Sequence, residues 1–213
     1  LMEEAQKLLS GHEINQVRVD LKENPANMIW LWGQGKKPSL ANFKDKYGIS
    51  GSVISAVDLI KGIGRVAGLE VINVKGATGY YDTNYKGKAD AALVSLKSKD
   101  LAYVHVEAAD EASHNGDLQQ KILAIERFDQ LVVGSILEGL KGKKDLRILL
   151  IADHATPLSL RTHTADSVCF AMYGKGIAAS GLEGFNETQA KTSGVVLDNA
   201  SVLMDRLIRE EEI

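Results

Sequence analysis

The sequence has one cysteine, no long apolar run and little net charge, and each of these features excludes a class of protein. Cys169 has no second cysteine with which to form an intrachain disulfide, so nothing indicates an oxidising compartment. No apolar run approaches the roughly 18 residues that indicate a membrane-spanning helix. The formal net charge is −3, whereas proteins that bind nucleic acid through bulk electrostatics are usually basic. With no visible signal peptide, we expect a cytoplasmic protein that binds neither membranes nor nucleic acid.

What the chain does contain is the composition of a folded domain. Hydrophobic residues make up 45% of the 213 residues and charged residues 25%, both ordinary for a globular protein. This length is sufficient to bury a sizeable core. The chain opens with Leu1 rather than with methionine. We therefore expect it to be a piece of a longer protein.

Short apolar segments typical of buried strands recur along the sequence. They lie at residues 28–33, 52–57, 70–74, 102–107, 147–153 and 168–174. Apolar residues at helical spacing occupy residues 57–67, 86–97, 117–140 and 200–209. Continuously apolar strands are covered on both faces, as in parallel sheets with helices on each side. The pattern predicts an α/β fold, a three-layer sandwich with a mostly parallel sheet.

Two parts of unequal size are expected. Residues 1–26 read as a helix over residues 1–10 followed by a polar connector, and residues 27–213 as the α/β domain. Gly62 and Gly64 interrupt the helix predicted at 57–67. Close packing of that helix is the expected reason for them.

Histidines and aspartates follow the predicted strands in a suggestive arrangement. Asp110 and His114 are four residues apart, so on a helical turn they share one face and could share a divalent cation. Asp153 and His154 stand where a buried strand ends, the position at which open α/β sheets gather their functional groups. His163 lies in a polar loop shortly before the next predicted strand. These five residues are the candidate metal ligands.

Spacing alone leaves structural alternatives open. An Asp-x-x-x-His pair often decorates the surface of a helix, and the whole set could be incidental in a plain α/β domain. His105 lies within an apolar run, which predicts a core histidine rather than a ligand. A Gly-x-Ser-x-Gly nucleophile motif is absent from the sequence.

Several longer segments of the sequence resemble a known protein family. The segments ANMIWLWGQGKKPSL, VHVEAADEASHNGD, KILAIERFD, ADHATP and HTAD resemble, in order, the archaeal-type cofactor-independent phosphoglycerate mutases of the alkaline phosphatase superfamily. The resemblance implies an alkaline-phosphatase-like core and an isomerase that interconverts 2-phosphoglycerate and 3-phosphoglycerate through a phosphoserine. It also implies two divalent metal ions (manganese, zinc, magnesium or cobalt) and no bisphosphoglycerate cofactor.

Carried over by position, the resemblance assigns the ligands. Asp110, His114 and His163 would hold the first metal, and Asp153 with His154 would form part of the second site. The nucleophilic serine and a further aspartate ligand of this family come from an N-terminal segment, which we expect to precede Leu1. We therefore expect the first site to fill alone, the second to be weak, and this chain to be nearly inactive by itself.

Other features leave the substrate and the activity open. The same metal set serves phosphatases, phosphopentomutases and sulfatases, and a non-catalytic metal-binding domain is a further alternative. Lys61 and the Gly33–Lys37 loop are candidate contacts for a small phosphorylated substrate. Residues 1–26 could be the tail of the inserted domain that this family carries. The sequence leaves the oligomeric state open.

Overall fold

The structure is a computed structural model that describes residues 1–209. The chain forms two compact units, residues 1–39 and a second that starts at residue 40. The expected boundary between residues 26 and 27 lies inside the first unit. Within that unit, helix α1 spans Met2–Ser10, as predicted, and helix α2 spans Glu13–Asp20.

Helix α2 lies where a connector was predicted, and that prediction was wrong. The side chain of His12 caps the helix by accepting a hydrogen bond from the Ile14 amide at 3.2 Å. The buried amide of Asn15 donates to the carbonyl oxygens of Leu9 at 2.6 Å and Ala26 at 3.0 Å. Local polar bonds of this kind stabilise a short helix without leaving an apolar repeat in the sequence.

Residues 28–33 form no strand, contrary to the prediction. The segment has irregular backbone, and Trp30 and Trp32 are 74% and 80% exposed. A strand needs a neighbour to satisfy its backbone groups, and in residues 1–209 no strand pairs with this segment.

The second unit alternates helices with strands. Its strands are β1 (Gly51–Ile54), β2 (Glu70–Ile72), β3 (Leu101–Val104), β4 (Arg147–Ile151) and β5 (Phe170–Gly174). Its helices are α3 (Phe43–Tyr47), α4 (Asp58–Val66), α5 (Tyr85–Ser95), α6 (Ala108–His114), α7 (Leu118–Arg127), α8 (Gly134–Gly139), α9 (Glu187–Thr192) and α10 (Val202–Arg209). A π-helical turn, Phe128–Val133, joins α7 to α8 within the single helix predicted at 117–140.

Strand β1 is the centre of a parallel sheet with the order β2-β1-β3, and β4 pairs with β5 in an antiparallel ribbon. Consecutive residues of β1 face opposite sides of the sheet. Ser52 bonds to Ser95 of α5, with 2.7 Å between the hydroxyl oxygens, whereas Val53 faces Gly64 of α4. Helices therefore cover both faces of β1, and the predicted α/β fold with a parallel sheet is confirmed.

Gly64 and Gly62 provide a matched test of this packing. A Cβ at Gly64 would lie 2.5 Å from Cγ1 of Val53, while a Cβ at Gly62 would meet nothing within 4 Å. We expect Gly62→Ala to stabilise the protein by up to about 1 kcal/mol through helix propensity. Gly64→Ala should be less stable than Gly62→Ala by about 1–3 kcal/mol because it overpacks β1. Urea unfolding of the two variants measures the difference, and equal stabilities would contradict the close approach.

A small apolar cluster anchors α6, the helix that carries two of the candidate metal ligands. Its buried members are Tyr85, Ala108, Ala124 and Val132. Because Ala108 is fully buried at the first position of α6, this helix is fixed where it follows β3. In the described part of the chain, no helix is both long and apolar enough to cross a membrane.

Candidate metal centre

Helix α6 presents Asp110 and His114 on one face. The helix starts soon after β3 ends, and positions four apart on a helix lie one above the other. Nε2 of His114 is 3.3 Å from Oδ2 of Asp110. The Asp110 side chain is 21% exposed and that of His114 34%, so the pair is partly buried and remains accessible.

His163 reaches the same point from the loop between β4 and β5. An antiparallel bridge between Ala155 and Thr164 folds this loop back onto the segment that follows β4. Nε2 of His163 lies 3.1 Å from Nε2 of His114 and 3.5 Å from Oδ1 of Asp110. The structure thus brings together the three residues expected to hold one metal.

The distances among these three donors suit a small divalent ion. Bonds of about 2.0–2.2 Å from a metal to imidazole nitrogen or carboxylate oxygen place tetrahedral ligands about 3.3–3.6 Å apart. Here the two Nε2 atoms are 3.1 Å apart, and the Asp110 carboxylate meets them with different oxygens, Oδ2 at 3.3 Å from His114 and Oδ1 at 3.5 Å from His163. Two imidazoles and one carboxylate make a mixed nitrogen and oxygen donor set, which does not select among manganese, zinc, magnesium and cobalt. The residues fit a metal ion in identity and in geometry.

A hydrogen bond at Nδ1 of His114 leaves the lone pair of Nε2 available to a metal. Nδ1 of His114 lies 2.9 Å from the carbonyl oxygen of Arg161, which can only accept, so Nδ1 carries the proton. The lone pair is then on Nε2, which faces Asp110 and His163. Arg161 holds this carbonyl in place with a positive φ of 55°, and its guanidinium packs over Gly116. A strained backbone at a ligand-supporting position is typical of functional sites.

Asp153 and His154 follow β4 and lie beside the three-residue cluster. Oδ2 of Asp153 is 3.5 Å from Nε2 of His154, and the rings of His154 and His163 are 3.7 Å apart between centroids. Within residues 1–209, Asp153 and His154 are not members of a cluster of three potential ligands. The two residues therefore offer a partial site next to a more complete one.

His105 lies closer to these groups than its apolar neighbours in the sequence suggested. Its Nδ1 is 3.2 Å from the hydroxyl of Ser55, and its Nε2 is 3.9 Å from Oδ2 of Asp153. The second distance is too long for a hydrogen bond but short enough for electrostatic attraction. The neighbouring imidazoles of His105 and His154 lower the pKa of Asp153 to about 2. Asp153 is therefore a carboxylate, the form that binds metal ions.

Two further ionisable residues at this edge of the sheet were not predicted from the sequence. Lys88 is 1% exposed, and its ammonium donates to the carbonyl oxygen of His105 at 3.1 Å. Burial lowers its pKa to about 8, opposed by Glu107 and assisted by Lys61. Burial also raises the pKa of Glu107, whose carboxylate forms an acidic group with Asp110 and Glu111. A lysine within a helical segment predicts a solvated side chain, so no sequence signal marked Lys88.

The two candidate substrate contacts belong to different units of the chain. Lys61 is in α4, the helix that follows β1, with its ammonium 3.3 Å from Oδ1 of Asp58. The Gly33–Lys37 loop belongs to the first unit, where it is exposed and has no regular secondary structure. Lys61 is therefore in the same unit as the metal-ligand candidates, and the loop is not.

Comparison with known proteins places the chain among metal-dependent enzymes. The family model described as the metalloenzyme superfamily matches residues 11–208. A 2,3-bisphosphoglycerate-independent phosphoglycerate mutase of Methanothrix thermoacetophila is 50% identical over 209 residues, 98% of this chain and 53% of that protein. A probable mutase of the same kind from Geobacter sulfurreducens is 47% identical, over 98% of this chain and 52% of its own length. The chain spans about half the length of these curated relatives.

Solved structures show the same fold. The PH0037 protein from Pyrococcus horikoshii superposes with a TM-score of 0.81 at 29% identity, covering all of this chain and 56% of its own. The cofactor-independent phosphoglycerate mutase from Thermoplasma acidophilum gives a TM-score of 0.60 at 26% identity, over 98% of this chain and 49% of its own.

Proposed function

Because the chain belongs to the metalloenzyme superfamily, we propose that it is the metal-binding portion of a phosphoglycerate mutase. The proposed reaction interconverts 2-phosphoglycerate and 3-phosphoglycerate through a phosphoserine, without a bisphosphate cofactor. One observation carries the proposal. The residues that the mutase resemblance assigns to a metal converge with ligand-like spacing, in a chain that is 50% identical to a protein named as such a mutase.

The ligands of the first proposed metal are Asp110, His114 and His163. Their donor atoms all lie within 4.8 Å of one another, and the His114 tautomer set by Arg161 supports the assignment. Asp153 and His154 are the proposed partial site for a second ion. Bound divalent ions supply positive charge that stabilises a transferring phosphoryl group and its attacking and leaving oxygens.

Residues of this chain would keep the metal ligands ionised and oriented and would contact an anionic substrate. The depressed pKa of Asp153 keeps its carboxylate ionised, and the carbonyl of Arg161 holds the ring of His114 in one orientation. Lys61 is the proposed contact for a negatively charged substrate group, since its helix α4 is the element that follows the carboxyl end of β1. We assign the phosphoserine nucleophile to the half of the relatives' length that this chain does not span.

The protein expressed from its complete reading frame provides the test. We expect it to convert 3-phosphoglycerate into 2-phosphoglycerate in an enolase-coupled assay with Mn²⁺, to lose this activity on chelation, and to need no 2,3-bisphosphoglycerate. Asp110→Ala should abolish turnover, while Asp90→Ala, a change on the exposed surface of α5, should not.

A panel of phosphate esters separates the alternatives. Hydrolysis of several esters without mutase activity would favour a metal-dependent phosphatase. Transfer on a phosphopentose would favour a phosphopentomutase. Metal binding with no turnover of any ester would favour a non-catalytic metal-binding domain and would contradict the proposal.

A further inference from the structure

Thr156 touches both groups of candidate metal ligands. It lies three residues after Asp153 in the loop that follows β4, and it is 7% exposed. Its hydroxyl oxygen is 2.5 Å from Oδ1 of Asp110 and 3.1 Å from Nδ1 of His154. One buried hydroxyl therefore contacts a ligand of the first proposed metal and a ligand of the second.

The direction of both hydrogen bonds follows from the chemistry of the partners. An ionised carboxylate can only accept, so the single hydroxyl proton of Thr156 is donated to Asp110. The oxygen must then accept from Nδ1 of His154. This places the proton of a neutral His154 on Nδ1 and the lone pair on Nε2, the nitrogen that faces Asp153.

The backbone around Thr156 is held independently of its hydroxyl. Its carbonyl oxygen accepts a hydrogen bond from the ammonium of Lys121 at 3.0 Å, and the adjacent Ala155 carbonyl accepts from the amide of Thr164 at 3.0 Å. These bonds do not involve the Thr156 side chain, so a change limited to the hydroxyl should leave the loop in place.

We propose that Thr156 is a positioning residue that couples the two half-sites, orienting the carboxylate of Asp110 and selecting the metal-binding tautomer of His154. The proposal rests on the proposed metal sites and deepens them. Groups that orient metal ligands in this way contribute about 10–100-fold to metal affinity. Because one hydroxyl serves both ligands, its removal should weaken binding at both half-sites together.

The first experiment reads the tautomer in the metal-free chain and needs no activity. Long-range ¹H–¹⁵N spectra, which distinguish the two neutral tautomers directly, would be recorded at alkaline pH. We expect the Nδ1–H form of His154 in the wild type and in Thr156→Ser, which keeps the hydroxyl. In Thr156→Val, which is similar in shape without the hydroxyl, the Nε2–H form should gain population. An unchanged tautomer in a folded Thr156→Val protein would overturn the proposal.

The second experiment measures Mn²⁺ affinity by titration calorimetry. We expect Thr156→Val and Thr156→Ala to bind about 10–100-fold more weakly than the wild type, and Thr156→Ser to bind nearly normally. Weakening in Thr156→Ser equal to that in Thr156→Ala would overturn the role of the hydroxyl, as would normal affinity in both apolar variants. If the wild type binds no metal, the proposed function fails, and the tautomer spectra then decide separately whether Thr156 controls His154.

Discussion

Excess Mn²⁺ or Zn²⁺ is expected to raise the melting temperature of this chain by about 5–10 °C. A ligand that binds only the folded state at a hundred times its dissociation constant adds about 2.7 kcal/mol of stability. In a chain of this size each kcal/mol shifts the melting temperature by about 2–4 °C. The physical reason is that Asp110, His114 and His163 converge in the folded protein and separate on unfolding. Thermal denaturation with and without a chelator, followed by circular dichroism, measures the shift.

Single variants identify the source of this stabilisation. His163→Ala removes one of the three donors without altering α6, so most of the metal-induced shift should be lost. His12→Ala is the matched control, because it removes a histidine of the first unit that belongs to no ligand cluster. Its own stability is expected to fall through the loss of the α2 cap, yet its response to metal should remain. Equal shifts in the wild type and in His163→Ala would place the ion elsewhere.

Buried Lys88 is expected to make the protein more stable at alkaline pH. Burial lowers its folded-state pKa from 10.5 to about 8, so between these values the unfolded chain binds more protons than the folded one. Stability therefore rises as the pH increases from about 8 to 10.5, and this group contributes about 3 kcal/mol over that range. Below pH 8 the lysine is charged in both states, and its burial is a constant cost. Urea unfolding at several pH values measures the slope.

Replacing Lys88 with a neutral residue tests whether it causes this pH dependence of stability. Lys88→Met should flatten the difference in stability between pH 8 and 10.5, and it should be more stable than the wild type at neutral pH. Lys86→Met is the control, because Lys86 occupies the same helix with an exposed side chain paired to Asp90. Its pH dependence should match that of the wild type. A parallel pH dependence in Lys88→Met and the wild type would show that Lys88 is not the titrating group.

Elements that are marked by apolar runs were predictable from the sequence. Strands β1 to β5 overlap the apolar runs expected to form them, because a continuous apolar run leaves few alternatives to a covered strand. Helix α2 was not predicted because it depends on His12 and Asn15, whose local hydrogen bonds leave no periodic pattern in the sequence. Residues 28–33 were wrongly predicted to form a strand for a different reason. Its apolar content predicted burial, yet strand formation depends on a partner that periodicity cannot specify.

The candidate site was predictable where ligand identity and spacing carried the information. Asp110 and His114 are four residues apart, and a helix turns that spacing into proximity. Thr156 and Lys88 were not predictable, because a threonine beside a strand end and a lysine in a helix are usually solvated. His105 was expected to be a core histidine, and it does satisfy Ser55. Its second neighbour, Asp153, comes from a loop 48 residues away in the sequence, a relation that only the tertiary fold supplies.

The exposed Trp30 and Trp32 determine what an optical experiment on this protein reports. They are the chain's two tryptophans, and both belong to the first unit, whereas the metal-ligand candidates belong to the second. Intrinsic tryptophan emission therefore follows the surroundings of residues 28–33, and the second unit contributes no tryptophan to it. A tryptophan placed at Phe128, beside the apolar cluster that anchors α6, would give the second unit a fluorescent signal of its own.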